Sequence, residues 1–592
     1  MKKLVGILMM LFVVQVSFGQ KTKKTTDTNK EAEEAEEVLD TLDTQTVIIE
    51  VNYKPRVSDA FKLIKSPEIE GDDIKKEEID YSIKSFPVAS TFTPATGKAK
   101  ELKKEKIERF YKSYVSAGFG NYITPLAEVY LNSSSSRYND FGIFLNHHSS
   151  QGGIKDVKVD DQFYDTKMKV YYKEFSRDMN WEINGGFQLQ TYNWYGLPEN
   201  VTFAPEIISA IDPTHTYTNG SIGGNIDMED SFFKKASLKI DYFGDSYNTS
   251  EIHVVGKPTF EFPVAEELIT SKFHLEYLNN SFEKGYVTDE EFKNQWANFG
   301  FSPSLEIFRD ELTVNLGAKV YYTFDLKNSV SKFYAYPNVT ASYKLISDVM
   351  VLFAGATGDL EQQTYQDFVE DNKFLAPSLL TIPEDTKYRF YLGTKGKLPS
   401  NISYFLKGEY KNAKHSPLFI YNSLLQDNVT TETENYKYGN SFSVIYDEIK
   451  TLSFHAGIEV PYKDFLKVKA DVKYYNYDTT DQKEAWNLPN LEGSLGAEYR
   501  SEHWFAGAKL FFVGTRKDQE FNFTKNELET VELDSYLDLN LKGGYIFNNR
   551  LTAFVNLNNV LNQDYQSYFN YRVQGFQVLG GVTYKFDLNG IF

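Results

Sequence analysis

The sequence predicts an all-β fold, a closed antiparallel transmembrane β-barrel of about 22 strands with a short irregular N-terminal segment. Three observations predict it: apolar and polar residues alternate through most of the chain, aromatic residues make up 16% of it, and long connections alternate with short ones. Side chains alternate faces along a strand, so each such segment has one face for lipid and one for water. The aromatic residues are expected in the interfacial girdles and part of the lumen wall.

Composition narrows the class of protein. The chain has 592 residues, a net charge of −19 and no cysteine. The absence of cysteine excludes disulfides, Cys-ligated metals and thiol catalysis. The negative charge argues against nucleic acid as a partner. We find no nucleophile elbow, phosphate loop or paired-His zinc motif, so the sequence predicts neither an enzyme nor a cofactor.

The first 45 residues divide into a targeting segment and a tail. Lys2 and Lys3 precede an apolar run over residues 4–16, and small residues follow at 17–19. This order is typical of a secretory signal peptide, which we assign to residues 1–19. Residues 20–45 are charged and nearly free of large apolar side chains. Such a segment buries too little surface to fold, so we expect a disordered periplasmic tail.

Residues 46–110 form an extended segment that does not resemble a compact domain. It opens with a short β-prone run, Thr46, Val47, Ile48, Ile49, Glu50 and Val51. Four prolines, an acidic patch at 70–73 and a basic run at 98–106 follow. On these residues alone, the β-prone run is an edge strand of a small periplasmic element.

Alternation starts at Tyr111, and we assign residues 111–592 to the barrel. The first expected strand contains Val115, Ala117 and Phe119, and three expected strands lie in the last 60 residues. An even strand count places both ends of the barrel on one side of the membrane. The remaining expected strands are 126–132, 138–146, 163–174, 179–190, 217–226, 232–243, 249–262, 269–278, 294–305, 311–324, 332–343, 348–358, 385–395, 401–411, 448–460, 465–475, 490–499 and 502–513.

The connections support this assignment independently. After odd-numbered strands they are often long, as at 191–216, 359–384 and 412–447, whereas after even-numbered strands they are mostly tight, as at 176–178. Outer-membrane barrels have long extracellular loops and short periplasmic turns. The sequence therefore predicts a location in the bacterial outer membrane, with membrane lipid as a partner.

The C-terminal stretch, 533–592, has the clearest pattern and resembles a known family. The run 556–565 (NLNNVLNQDY), then Gly575-Phe576 and the closing 581–586 (GVTYKF), resemble the end of TonB-dependent receptors. Upstream, residues 487–489, 496–499 and 512–516 are similar to that family's preceding strands. Tyr584, Phe586 and Phe592 form the expected C-terminal barrel signature. Family members usually end on the aromatic residue equivalent to Phe586, whereas this chain continues to Phe592.

The resemblance has two implications for the N-terminal segment. It suggests that residues 46–51 are a TonB box, which pairs as an added strand with an energising periplasmic protein. It also leads us to expect a globular plug of well over a hundred residues, for which 52–110 is too short and has the wrong composition. We therefore expect the lumen to be closed by residues 46–110, by inward loops or by a partner protein.

Two functions follow from the resemblance. One is a receptor-like role in uptake across the outer membrane. The alternative is a plugless, non-transporting barrel that serves as a subunit or scaffold with other outer-membrane proteins. The sequence does not identify a substrate.

Two charged constellations were considered as sites. His147 and His148 with Asp156, Asp160 and Asp161 fall in one predicted loop, where we prefer a solvated loop to a metal site. Lys467, Lys469, Asp471 and Lys473 alternate with apolar residues, and we expect an inward-facing salt-bridge ladder rather than a substrate track.

Overall fold

The computed structural model describes residues 110–588, apart from 134–137, 265–266, 289, 425–433, 464 and 523–524. Most of this part of the chain forms one sheet of 22 strands. Its first strand, Ser113–Gly120, pairs antiparallel with its last, Gln577–Phe586, so the sheet closes into a barrel without an open edge. The predicted fold class and the predicted number of strands are both confirmed.

The strands follow one another around the barrel in chain order. The first thirteen are β1 (Ser113–Gly120), β2 (Thr124–Ser133), β3 (Asn139–Ser150), β4 (Phe163–Phe175), β5 (Met179–Asn193), β6 (Thr214–Met228), β7 (Phe233–Asp245), β8 (Ser250–Val264), β9 (Glu267–Phe282), β10 (Phe292–Arg309), β11 (Leu312–Asp325), β12 (Val330–Ile346) and β13 (Met350–Glu361).

The second half contains two small hairpins besides the barrel strands. Its strands are β14 (Glu384–Leu398), β15 (Ile402–Asn422), β16 (Ser441–Tyr462), β17 (Leu466–Thr479), β18 (Leu491–Arg500), β19 (Trp504–Val513), β20 (Arg516–Asn522), β21 (Glu527–Leu533), β22 (Tyr536–Ile546), β23 (Leu551–Asn558), β24 (Gln566–Tyr568), β25 (Tyr571–Arg572) and β26 (Gln577–Phe586). The hairpins β20–β21 and β24–β25 lie outside the barrel sheet.

Two short α-helices lie in connections, α1 (Pro205–Ala210) and α2 (Tyr365–Asp371), and 3₁₀ turns occur at Pro399–Asn401 and Asn435–Lys437. Among the residues that the structure describes, no helix is long and apolar enough to cross a membrane.

The two ends of the barrel differ as the sequence predicted. At one end, here called the loop end, the connections include 194–213, 362–383, 514–535 and 559–576. At the other, the turn end, they are only a few residues long. By the outer-membrane pattern, the loop end is extracellular and the turn end periplasmic.

Alternation along the strands produces the expected lipid-facing surface. Leu392 of β14 is 71% exposed and Ile222 of β6 is 63% exposed, and large apolar side chains at every second position share this face. Their exposure outside the barrel is what a lipid-contacting band requires.

The loop end is where the structure differs from the predicted elements. β15 extends to Asn422, whereas the predicted strand ends at 411, and β16 begins at Ser441, whereas the predicted strand begins at 448. β3 extends to Ser150, beyond the predicted end at 146. The hairpin β20–β21 was also not predicted. The predicted signal peptide, the tail and all of segment 46–110 except Phe110 lie outside the described residues, so those assignments stay predictions.

Candidate functional site

The loop end of the barrel is covered by four of its own connections. These are 194–213, 362–383, 434–440 and 559–576, which we together call the loop cover. In a ring of 22 strands, two strands can be at most eleven positions apart. The β5–β6 and β15–β16 connections are ten positions apart, so a contact between them crosses the mouth of the barrel.

Two hydrogen bonds make this crossing. The Asn440 side-chain amide donates to the Trp194 carbonyl oxygen at 3.3 Å. The backbone N–H of Asp212 donates to Asn435 Oδ1 at 3.1 Å. Opposite sides of the barrel are thus joined through loop residues above the lumen.

A third connection, 559–576, contacts both of these. The Tyr571 ring stacks on Phe374 with centroids 3.5 Å apart, and its hydroxyl donates to the Asn440 carbonyl at 2.6 Å. The Tyr195 hydroxyl donates to the Arg572 carbonyl at 2.8 Å. Tyr571 and the adjacent Arg572 therefore contact all three of the other connections in the loop cover.

The interior of the cover is mainly aromatic. Twelve of the sixteen residues in its buried cluster are Phe, Tyr or Trp. Large aromatic groups contribute most to such packing, and buried hydroxyls hold it in register when they find carbonyl partners. The buried residues are Trp194, Tyr217, Phe243, Phe282, Tyr365, Phe368, Val369, Phe374, Leu375, Ala376, Leu379, Tyr421, Tyr436, Phe442, Tyr568 and Tyr571.

Helix α2 joins the cover to the barrel wall. Thr364 caps the helix by accepting from the backbone N–H of Asp367 at 3.0 Å. The Glu251 carboxylate of β8 accepts from the backbone N–H groups of Tyr365, at 2.6 Å, and Gln366, at 3.2 Å. These amides have no partner within the helix, and a carboxylate at that end also fits the helix dipole.

The aromatic face of α2 is held by a second carboxylate. The Tyr365 hydroxyl donates to Asp245 Oδ2 at 2.8 Å, and the Tyr217 hydroxyl donates to the Lys373 carbonyl at 2.8 Å. Burial raises the pKa of Tyr365 well above its usual range, so the phenol stays a donor. Helix α2 is thus fastened at its N-terminus and along one side.

Asp518 in the β20–β21 hairpin connects further loop segments. Its carboxylate accepts from the backbone N–H of Tyr421 at 3.0 Å, from the Asn487 side-chain amide at 2.8 Å and from the backbone N–H of Gln519 at 2.8 Å. Burial raises the pKa of Asp518 to about 6, against the opposing effect of these hydrogen bonds. This carboxylate therefore titrates close to neutral pH.

Below the cover, charged side chains pair across β16 and β17. Glu459 contacts Lys467 at 2.6 Å and Lys469 at 2.9 Å, and Asp471 contacts His455 at 2.5 Å. The predicted salt-bridge ladder is confirmed for Lys467 and Lys469, which both pair with Glu459, whereas the partner of Asp471 is a histidine. Lys473 lies opposite Glu492 in the β17–β18 register.

The prediction that His147 and His148 lie in a solvated loop is wrong. His147 and His148 are in β3, not in a loop, because the strand extends to Ser150. His147 Nδ1 is 2.8 Å from Thr166 Oγ1, and the His148 ring packs edge-on against Phe163. Asp161 accepts from the backbone N–H of Ile154 within the following connection, which also contains Asp156 and Asp160. Over the described residues, no three His, Cys, Asp or Glu side chains form a group suited to a metal ion.

Other predicted residues lie at the barrel closure or beyond the described part. Tyr584 and Phe586 are in β26, where they pair with Val115 and Ser113 of β1. Phe592 and the proposed TonB box, Thr46 to Val51, are outside the described residues, so both assignments stay predictions.

The sequence reasoning did not identify the loop cover. One signal was present, because the connection 559–576 contains Tyr565, Tyr568, Phe569 and Tyr571, an unusual aromatic density for a solvated loop. The carboxylates Glu251 and Asp518 gave no comparable signal.

Comparison with known proteins gives matches of structure only. No protein-family model matches the sequence, and no curated protein matches it either. The barrel is similar to the ferripyoverdine receptor of Pseudomonas aeruginosa, with a TM-score of 0.59, 13% identity, and coverage of 82% of this chain and 73% of the receptor. It is also similar to the ferric-catecholate import receptor Fiu of E. coli K12, with a TM-score of 0.58, 11% identity and coverage of 81% and 82%.

The FrpB iron transporter of Neisseria meningitidis matches with a TM-score of 0.60, 10% identity and coverage of 81% and 82%. The copper transporter OprC matches with a TM-score of 0.56, 13% identity and the same coverage. The closed ring, the lipid-facing band, the long loops at one end and these structural similarities all indicate an outer-membrane barrel. The chain is a bacterial outer-membrane protein whose 22-stranded barrel is similar in fold to these receptors and transporters.

Proposed function

We propose that the chain is a receptor-like importer that takes up a solute across the outer membrane. The observation that carries the proposal is a wide barrel whose mouth is crossed by its own interlocked loops. Barrels of 22 strands enclose a lumen wide enough for a solute and are obstructed in outer-membrane transporters. A cover of interlocked extracellular loops supplies a barrier that a ligand can open.

The cover supports a receptor role because the hydrogen bonds that cross the mouth are made by residues outside the barrel sheet. The bonds that cross the mouth involve Trp194, Asn435, Asn440 and Tyr571, which lie in connections or, for Tyr571, in a small hairpin outside the barrel sheet. A ligand that binds better to an open arrangement shifts the population toward it. Opening in this way leaves the 22-stranded sheet intact.

The proposal includes an energised step at the N-terminal segment. In it, residues 46–51 pair as an added strand with a periplasmic energising protein. The similar structures are receptors or transporters for ferripyoverdine, ferric catecholates, iron and copper, so iron complexes and copper are the first solutes to test.

A deletion strain complemented with variants tests the proposal. We expect loss of growth on one limiting nutrient in the deletion strain, rescue by the unaltered chain and no rescue by Ile48→Pro. Proline removes a backbone donor and blocks strand pairing. Ile48→Val, which keeps a β-branched side chain, is the matched control and should rescue.

A pull-down from detergent-solubilised membranes separates this role from the scaffold alternative. Importer function predicts recovery of the barrel without stoichiometric outer-membrane partners. Stoichiometric recovery of such partners, with no nutrient phenotype, would contradict the proposal. Normal uptake by Ile48→Pro would contradict the TonB-box assignment alone.

A further inference from the structure

A basic patch lies on the outer surface of the barrel, immediately above the lipid-facing band at the loop end. It contains three lysines on three neighbouring strands: Lys387 of β14, Lys414 of β15 and Lys450 of β16. Two carboxylates, Glu448 and Asp478, lie among them. Although the chain has a net charge of −19, this patch contains more lysines than carboxylates.

The strand register places the patch on the lipid side. Lys450 shares the face of Leu452 and Phe454, because residues two apart in a strand point the same way, and both apolar side chains are exposed. Lys450 pairs with Asn412, and Leu452 pairs with Tyr410, one step further from the loop end. The lysines therefore begin where the apolar band ends.

Two β-bulges bring the other lysines to the same place. The β14–β15 register shifts between Thr386 and Tyr388, which leaves Lys387 as the extra residue. The β15–β16 register shifts between Ala413 and Ser416, which contains Lys414. Bulges re-aim side chains, and here both ammonium groups converge on Glu448.

The ion pairs leave hydrogen-bonding capacity unused. Lys387 Nζ is 2.5 Å from Glu448 Oε1, whereas Lys414 Nζ is 3.8 Å from Glu448 Oε2 and Lys450 Nζ is 3.6 Å from Asp478 Oδ2. An ammonium group has three N–H donors, and the two longer contacts are beyond good hydrogen-bond distance. A phosphate placed above Glu448 would meet three cations.

We propose that this patch binds the phosphorylated headgroup of an outer-leaflet lipid whose acyl chains lie on the apolar band below. We favour a lipid over free phosphate because exposed apolar side chains extend from the patch toward the membrane interior, where they can contact acyl chains. These side chains are Phe390, Leu392, Leu406 and Tyr410. Headgroup phosphates contact Lys387, Lys414 and Lys450, and Glu448 competes with them for the same ammonium groups.

Titration of the purified full chain with diphosphoryl lipid A tests the proposal, with monophosphoryl lipid A, phosphatidylcholine and inorganic phosphate as comparison probes. Each lysine near an anionic surface contributes roughly a fivefold factor in binding. The triple variant Lys387→Gln, Lys414→Gln, Lys450→Gln should therefore bind diphosphoryl lipid A roughly a hundredfold more weakly. The matched control replaces Lys344, Lys397 and Lys463, which lie at the turn end, and should bind normally.

A second variant should bind the lipid more tightly than the unaltered chain. Glu448→Gln removes the competing carboxylate and should tighten lipid binding severalfold, whereas Glu459→Gln, which removes a carboxylate inside the ladder, should not. Heat-modifiable migration confirms that each variant is a folded barrel, and single lysine variants replace the triple one if it is not. Equal binding by the triple variant and its control, or equal affinity for phosphatidylcholine or for inorganic phosphate, would overturn the proposal.

Discussion

Tyr571 is the residue through which the loop cover can be weakened most selectively. It is fully buried, stacks on Phe374, and its hydroxyl donates to the Asn440 carbonyl. Replacement of a buried aromatic residue by alanine costs about 3 to 5 kcal/mol. Tyr571→Phe keeps the ring and leaves one buried carbonyl without its donor, which costs about 1 to 3 kcal/mol.

Tyr571 lies outside the 22-stranded sheet and touches it through the Phe442 ring, so these costs fall first on closing of the cover. Every 1.4 kcal/mol is a tenfold change in an equilibrium, so an open cover should become roughly a thousandfold more populated in Tyr571→Ala. Hydrogen exchange measured by mass spectrometry should show faster exchange in 194–213, 362–383 and 434–440. Tyr571→Phe should show a smaller effect in the same segments.

The barrel strands provide the internal reference. Exchange in β8 to β12 should be unchanged in both variants, since their backbone hydrogen bonds are independent of Tyr571. Unaltered exchange in 362–383 of Tyr571→Ala would refute the interlocked cover. Equal acceleration in the barrel strands would show instead that the loops and the barrel unfold together.

Three further predictions concern two carboxylates at the loop end, Asp518 in the β20–β21 hairpin and Glu251 beside helix α2. The pKa of Asp518 is about 6 in the closed state and about 3.9 in an exposed chain, so closing of the hairpin takes up a proton. The β20–β21 hairpin should therefore be held more firmly as the pH falls from 7 to 4, by up to about 3 kcal/mol. Limited proteolysis of the hairpin at pH 7 and 5 should show this, and a constant rate would contradict it. Asp518→Asn should abolish the pH dependence and loosen the hairpin at both pH values, because its amide group would face the Asn487 amide donor; retention of the pH dependence would assign it to another group. Glu251→Gln should weaken α2 docking by about 1.5 to 3 kcal/mol, seen as faster exchange in 365–371, whereas Glu261→Gln, on the same strand near the turn end, should have no effect there.

The barrel was predictable because each membrane strand follows one simple rule. Every second residue of a segment such as 311–324 must face lipid, so apolar and polar residues alternate along it with a period of two. The tight turns after even-numbered strands then set the number of strands. The same rule fails at the loop end of β15 and β16, where Tyr421 and Phe442 pack into the buried aromatic cluster. Polar residues such as Asn412 and Asp447 are buried there as well, so burial no longer follows a simple alternation of apolar and polar residues.

The His147 and His148 error has the same origin. Their strand, β3, continues past the expected apolar band, where backbone pairing with Asp165 and Thr166 holds it rather than an apolar pattern. Helix α2 has only seven residues, too few to show a helical period, and is stabilised by Thr364 and Glu251. Local sequence carries little information about such contacts.

The loop cover itself depends on contacts that sequence patterns do not record. Asn440 and Trp194 are 246 residues apart, and Tyr568 and Asp371 are 197 apart. Only closure of the ring brings these connections over one mouth. An aromatic-rich loop indicates that something is buried there, but the partner follows from the barrel geometry.

The central claim is that loops crossing the mouth must separate for a solute to enter. The chain has no cysteine, so Asp212→Cys with Asn435→Cys introduces the only two thiols, at the exposed contact that joins opposite sides of the ring. Treatment of intact cells with a short, membrane-impermeant, cleavable thiol cross-linker, followed by growth on the limiting nutrient, is the direct measurement. Each single-cysteine variant is the matched control.

We predict efficient cross-linking in the double variant, loss of nutrient-dependent growth when the link is formed, and recovery when it is cleaved. The single variants should grow normally with the same reagent. Undiminished uptake with the two sides of the mouth fully cross-linked would contradict the account, as would failure of the two thiols to react with one linker.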